Sequence, residues 1–199
     1  MKPVLDFGVN VSDHMEAVAQ HHRFVNITFQ GQALDLSHLD AFALRVDPEL
    51  GAPLDVIVLF SCHCFTVSFK RDGRGEPNIP LAEIFDNGRE RRVLCARRYA
   101  QSKGLPGIIK DLPNRTIQIA AVDRQNFVTF DVLGEQDEVV STYAVFFEVT
   151  RDKKRKKRLL LHVQSAYVPD QVTKRQSKAG KVSFSTLLRN AYLGRKLRG

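Results

Sequence analysis

Between Thr116 and Val168 the chain carries four segments in which apolar and polar residues alternate: Thr116–Val122, Asn126–Val132, Thr142–Thr150 and Arg158–Val168. A period of two belongs to strands, because successive side chains there point to opposite faces. The connections between the segments are short. Antiparallel neighbours tolerate such links, whereas a parallel pair needs a crossover of a dozen or more residues. The economical topology is therefore a four-stranded antiparallel meander. It places the chain in the α+β class, with a mostly antiparallel sheet and helices packed on one face.

The flanking segments supply the helices. In Arg97–Leu112, Ile108, Ile109 and Leu112 share one helical face. Pro106 fits the first turn of a second short helix, where its missing N–H removes no bond. Pro113 and Asn114 stop that helix. Gly180 breaks the chain ahead of Val182–Leu193, where Phe184, Leu187, Leu188, Ala191 and Tyr192 have helical spacing, with a strand followed by a helix as the alternative. In the first half, Asp13 can cap a short helix through Ala19, and Phe24–Phe29 alternates as a strand. Residues 34–50 suggest a loop with a short helical turn. Leu54–Phe69 is the strongest strand region, with Val56–Phe60 apolar on both faces. Lys70–Gly75 then supplies turn residues for a hairpin. At 199 residues the chain fits one domain spanning 1–199. A possible N-terminal subregion covers 1–90, and a basic C-terminal segment covers 170–199.

The formal charge is +8 and the isoelectric point about 9.6, which favours a polyanionic partner such as RNA or other nucleic acid. The strongest concentration is Lys153, Lys154, Arg155, Lys156, Lys157 and Arg158, at the tip of the last hairpin of the meander. There it can straddle a phosphate backbone with salt-sensitive affinity, or stand as a solvated turn. Arg97 and Arg98 add to it. Aromatic residues near this run are sparse, which argues against a reader that stacks single-stranded bases. No apolar run reaches the roughly 18 residues of a membrane span, and the first residues lack the apolar core of a secretory signal. The expectation is a cytoplasmic protein that does not engage a membrane, with a protein partner possible. Three cysteines do not suggest a disulfide framework.

The fourth strand carries the candidate chemistry. His162, Gln164, Ser165 and Tyr167 lie within six positions of one another. In a regular strand, Ser165 and Tyr167 share one face while His162 and Gln164 share the other. The paired hydroxyls can hydrogen-bond a phosphate, and an imidazole can act as general acid or base. A single site using His162, Ser165 and Tyr167 together needs a β-bulge. The bland alternative is a half-buried strand ending with its polar groups satisfied.

Arg97-Arg-Tyr-Ala-Gln-Ser-Lys-Gly-Leu-Pro106 in the helical part and Gln164-Ser-Ala-Tyr167 in the last strand together resemble the barnase–EndoU–colicin–RelE group of metal-independent endoribonucleases. The resemblance spans roughly Arg91–Val168. It implies that groups from the helix and the sheet activate the ribose 2′-hydroxyl and stabilise the phosphorane. Carried onto this chain, Ser165 and Tyr167 contact the phosphate, His162 or His63 transfers protons, and Arg97 and Arg98 neutralise charge. The helix offers no histidine, so the general base falls to another element. The alternative from a different class is a non-catalytic nucleic-acid-binding or assembly protein, acting as an accessory subunit through the same basic surface.

Cys62-His63-Cys64 with Cys95 is a weaker metal candidate. On a strand, Cys62 and Cys64 point to one face and could reach one ion, with Cys95 and a histidine such as His21, His22 or His38 completing the set. Structural zinc uses wider cysteine spacing in turns, and cysteine is commonly buried as a small apolar residue. No metal and no cofactor is expected from these motifs.

Overall fold

The computed structural model describes residues 23–121, 126–133, 141–155, 157–169 and 180–197. In chain order the strands are β1 (Thr28–Phe29), β2 (Gln32–Ala33), β3 (Phe42–Val46), β4 (Leu54–Phe60), β5 (Thr66–Val67), β6 (Ile84–Asp86), β7 (Arg91–Leu94), β8 (Ile117–Ala121), β9 (Asn126–Leu133), β10 (Ser141–Arg151), β11 (Arg158–Tyr167) and β12 (Lys181–Val182). The α-helices are α1 (Phe69–Asp72), α2 (Ala96–Ser102), α3 (Leu105–Lys110) and α4 (Phe184–Leu193). The expected helix capped by Asp13 lies outside the described residues.

The meander is present. β8, β9, β10 and β11 are consecutive antiparallel neighbours inside a seven-stranded sheet of order β12-β8-β9-β10-β11-β4-β3. The sheet is mixed at one place: β4 joins β11 in parallel, with Leu59 opposite His162 and Phe60 opposite Val163. Strands β3 and β4 thus lie in the same sheet as the meander. A second sheet, β5-β7-β6, flanks it.

One face of the large sheet carries the core. Val145, Phe147, Leu159, Leu161 and Val163 are fully buried and belong to one cluster with Val56, Val58 and Phe60. Leu105, Ile108, Ile109, Phe184, Leu187 and Leu188 close the cluster from α3 and α4. Each such side chain contributes about 1.5–3 kcal/mol on leaving water. This is the helical layer expected on one face. On the opposite face, among the described residues, Ile57 and Leu59 are buried with Ala41, Ala43 and Leu160 packed around them.

Helix α4 has both ends satisfied locally. The Ser183 hydroxyl accepts from the Thr186 N–H at 3.2 Å, and Gly194 takes the left-handed conformation, φ +69°, donating its N–H to Ala191. The two-residue strand β12 precedes it, so the C-terminal segment is the strand-plus-helix alternative. Pro106 sits at the start of α3 as expected. Among the described residues no helix is long and apolar enough to cross a membrane.

Four local expectations change. The Phe24–Phe29 strand shrinks to β1, which pairs only with β2. Residues 34–50 contain a true strand, β3, in addition to the 3-10 turn Ser37–Leu39. β3 is an edge strand with Arg45 exposed, so its stability comes from pairing with β4 and leaves little alternation to read. The Leu54–Phe69 region is broken after Phe60: Cys62–Cys64 is a 3-10 turn, because the Ser61 hydroxyl accepts from the His63 N–H and the Phe65 N–H closes on the Cys62 carbonyl. The expected hairpin through Lys70–Gly75 does not form, since β5 pairs with β7 and Phe69–Asp72 is one helical turn.

Candidate functional site

The last strand contains the bulge that a joint site requires. Phe146 of β10 pairs with Ser165, and Phe147 pairs with Val163, which leaves Gln164 as an extra residue on β11. An inserted residue reverses the alternation beyond it. Before the bulge, Leu159, Leu161 and Val163 face the core and His162 faces the cleft side. After it, Ala166 is buried while Ser165 and Tyr167 return to the side of His162. The split into a Ser165/Tyr167 face and a His162/Gln164 face, expected from regular alternation, is therefore corrected. The side chains of His162, Ser165 and Tyr167 share one face.

The bulge is anchored from β4. Because β4 and β11 run parallel, the ends of both strands arrive at the same edge. There the Ser61 N–H donates to the Val163 carbonyl at 3.0 Å, and the Ser61 hydroxyl donates to the Gln164 carbonyl at 2.6 Å. The same hydroxyl accepts from the His63 N–H. One serine thus couples the displaced carbonyl of the bulge to the turn that carries Cys62 and His63.

A cleft of about 540 Å³ opens over this edge, lined by His63, Glu90, Asn126, Phe146, His162, Gln164, Ser165 and Tyr167, with Ser61 at its base. His63 Nε2 lies 2.9 Å from Glu90 Oε2 and 3.1 Å from Oε1. Both side chains are a little over one-third exposed. His162 Nδ1 faces Glu148 Oε1 at 3.7 Å across the β10–β11 pair. The Tyr167 ring stacks on Phe146 with centroids 5.5 Å apart. The guanidinium groups of Arg98 and Arg71 lie over the Tyr167 ring at 5.0 and 5.2 Å from its centre. Cation–π contact of this kind holds the ring and keeps positive charge beside its hydroxyl.

Arg98 is buried below this surface. It donates from one guanidinium nitrogen to the His63 carbonyl at 2.8 Å and the Thr66 carbonyl at 2.9 Å. It therefore fixes the 3-10 turn as well as supplying charge. Burial lowers its pKa, and the charges of Arg71 and Arg92 act in the same direction, although arginine stays protonated. Arg97, its neighbour on α2, points to solvent.

The basic hairpin tip lies elsewhere. Arg158 begins β11 and Ser165 lies seven positions on, so at about 3.3 Å per residue the two are roughly 20 Å apart. Lys153, Lys154, Arg155 and Lys157 are exposed. Arg158 is held by Asp152, to which its Nε donates at 2.6 Å. Lys156 is outside the described residues. Cationic charge and hydroxyl groups that are close in sequence thus occupy opposite ends of one strand.

The thiols separate as well. At three residues per turn a 3-10 turn sends neighbours in different directions, so Cys62 and Cys64 do not share a face as they would on a strand. Cys64 is fully enclosed in the core, and burial pushes its thiol up to about 12. Cys62 donates to Glu90 Oε1 at 3.2 Å, and its thiol is also raised to about 12, by burial first and then by the Glu90 hydrogen bond and charge. Burial acts to raise Glu90, but hydrogen bonds from His63 and Cys62 outweigh it, with the charges of His63 and Arg92 adding to them. The carboxyl is held below its ordinary value. The weaker candidate donor set of Cys62, Cys64 and Cys95 is not assembled. The groups that converge are Cys62, His63 and Glu90, whose ligand atoms lie within 4.8 Å of one another.

Ser61, Glu90 and Asn126 escaped the sequence reading. Ser61 had a local signal, since serine ahead of a turn is a common N-cap. Glu90 had none: it follows an Asp-Asn-Gly turn 27 positions from His63, and only the β5–β7 pairing brings the two together.

The YjaZ family model matches residues 26–192 of the chain. Protein YjaZ of Escherichia coli (strain K12) is 29% identical over 172 residues, covering 84% of this chain and 89% of the relative's length. No solved structure matches.

Proposed function

The chain belongs to the YjaZ family, and from that premise and the cleft's geometry we propose that it is an RNA-directed endoribonuclease working without a metal ion. One observation carries the reading: the bulge at Gln164 brings His162, Ser165 and Tyr167 onto one open face, in a cleft that His63 also enters. Cleavage of RNA by its own 2′-hydroxyl needs two proton transfers and a stabilised phosphorane. One imidazole accepts the 2′-hydroxyl proton as the 2′-oxygen bonds to phosphorus. The other donates a proton to the departing 5′-oxygen as that P–O bond breaks. The products are a 2′,3′-cyclic phosphate and a free 5′-hydroxyl. Hydrogen bonds to Glu90 hold the His63 ring in one orientation, and Glu148 faces His162 at 3.7 Å. The Ser165 and Tyr167 hydroxyls donate to the phosphate oxygens, with the Arg71 and Arg98 charges behind Tyr167.

The test is incubation of folded protein with single-stranded RNA in EDTA, reading fragment ends. His162→Ala should lower the rate by about 100-fold or more, the low end for loss of a general acid or base. Tyr167→Phe should lower it roughly tenfold, about 1.4 kcal/mol of transition-state stabilisation. Cyclic phosphate ends in wild type, formed about 100-fold more slowly in His162→Ala and roughly tenfold more slowly in Tyr167→Phe, support the reading. Intact RNA with folded wild-type protein overturns it. Salt-sensitive RNA binding without turnover would point instead to a non-catalytic nucleic-acid-binding protein.

A further inference from the structure

We propose that Cys62, His63 and Glu90 form a binding site for one divalent zinc-class ion, and that the ion, once bound, switches the cleft off by taking His63 out of proton transfer. The second half rests on the proposed ribonuclease reading; the binding half does not.

The donor set is one thiol, one imidazole and one carboxylate, the mixed sulfur, nitrogen and oxygen set that zinc accepts. Bond lengths of about 2.3 Å to sulfur and about 2.0–2.2 Å to nitrogen and oxygen put the ligand atoms of a tetrahedral site about 3.3–3.6 Å apart. Two of the three edges already stand near that value: Cys62 Sγ to Glu90 Oε1 is 3.2 Å and His63 Nε2 to Glu90 Oε1 is 3.1 Å. The third, Sγ to Nε2, is within 4.8 Å and closes by a small rotation of the partly exposed His63 ring. Glu90 Oε1 is thus the shared corner. Its other oxygen is held from outside by Arg92, at 3.4 Å, whose Nε also donates to the Thr66 hydroxyl at 2.7 Å. Second partners of this kind fix a ligating carboxylate in place.

The surroundings fit an ion with an open position. Cys62 is 3% exposed and lines an adjoining cleft of about 880 Å³ that Glu90 shares, while His63 and Glu90 face the 540 Å³ cleft. Three protein ligands leave the fourth corner toward the cleft for a water molecule. On binding, a metal–sulfur bond forms and the Cys62 thiol proton leaves to solvent. His63 binds through Nε2, whose proton toward Glu90 either leaves to solvent, when the ring is protonated on both nitrogens, or moves to Nδ1, so that one ring proton stays on Nδ1. Affinity therefore rises with pH.

The experiment titrates untagged full-length protein with Co²⁺, reading the near-ultraviolet thiolate-to-cobalt charge-transfer band, and repeats the titration with Zn²⁺ in competition. One equivalent should develop the band, and Zn²⁺ should bleach it. Cys62→Ser and His63→Ala should abolish the band, while His162→Ala and Cys95→Ser should keep it. No band in the folded wild type, or a band lost in Cys95→Ser and kept in Cys62→Ser, overturns the site. If the protein cleaves RNA, stoichiometric Zn²⁺ should suppress cleavage at least tenfold and EDTA should restore it. Cleavage unaffected by bound Zn²⁺ overturns the switch and leaves the ribonuclease reading standing. A band without any RNA cleavage overturns the ribonuclease reading and the switch with it, while the metal site stands.

Discussion

Arg98 illustrates how a single side chain serves two purposes in this molecule. Its charge sits behind Tyr167, and its hydrogen bonds hold the turn that carries His63. Removing it leaves two carbonyls without their donor, each costing about 1–3 kcal/mol when buried. Arg98→Met should destabilise the fold by about 2–4 kcal/mol in urea unfolding, and Arg98→Lys should recover only part of this, because an ammonium lacks the planar fork. A change under about 0.5 kcal/mol would show that the turn holds itself. His38 gives a pH prediction. Its Nε2 lies 2.8 Å from the Ser102 hydroxyl, and burial lowers its pKa below the ordinary 6.5, with Lys103 assisting against Asp35 and Asp40. The folded state therefore binds fewer protons than the unfolded chain. The His38 contribution is fully present above about 6.5 and is lost as pH falls through the folded value. Thermal unfolding from neutral to mildly acid pH should show that decline. His38→Gln, which keeps a hydrogen-bonding group, should flatten it.

At the scale of elements, the bulge at Gln164 decides what the last strand can do. Gln164 is the extra residue, so removing it would straighten β11 and still leave Ser165 and Tyr167 on the face of His162; what the bulge adds at that point is the displaced Gln164 carbonyl that Ser61 holds. The test of that anchor is Ser61→Ala. That change removes the donor to the Gln164 carbonyl and the acceptor for the His63 N–H, and should cost about 1–3 kcal/mol. Cleavage should fall more than stability alone explains, because both halves of the cleft lose their common anchor. Equal kcat/KM in folded Ser61→Ala and wild type would remove the coupling from the account. The bulge was legible in the sequence only as a requirement: His162, Ser165 and Tyr167 could not share a face without one. Nothing in Leu161–Tyr167 marks where the extra residue falls, because register is set by the partner strand.

At the scale of the whole molecule, two surfaces are separated along β11. The cleft lies at its end. The basic tip lies at its start, where Arg151, Lys153, Lys154, Arg155, Arg195 and Lys196 surround a groove of about 920 Å³ between the hairpin and α4. If RNA binds as proposed, charge there would act on its phosphate backbone through counterion release, each lost contact reducing the salt slope on single strands by about 0.7. Replacing Lys153, Lys154 and Arg155 by alanine should lower the slope for a long RNA by about 2. It should leave cleavage of a dinucleotide, too short to span roughly 20 Å, unchanged. Equal losses on both substrates would place the tip within the site.

The sequence by itself determined the meander, the two short helices around Pro106, the final helix and the excess of positive charge. Each depends on periodicity or on a local stop signal that needs no distant partner. It also singled out His162, Gln164, Ser165 and Tyr167 on the last strand, which line one cleft in the fold. Only the tertiary structure decided that β4 lies parallel beside β11, that β3 exists, that Cys62–Cys64 turns instead of extending, and that Glu90 meets His63. Those outcomes depend on pairing between segments far apart in the chain, whose energies come from register and burial. The cleft is made at such a meeting, where the ends of two parallel strands place Ser61 beneath a bulge that neither strand encodes alone.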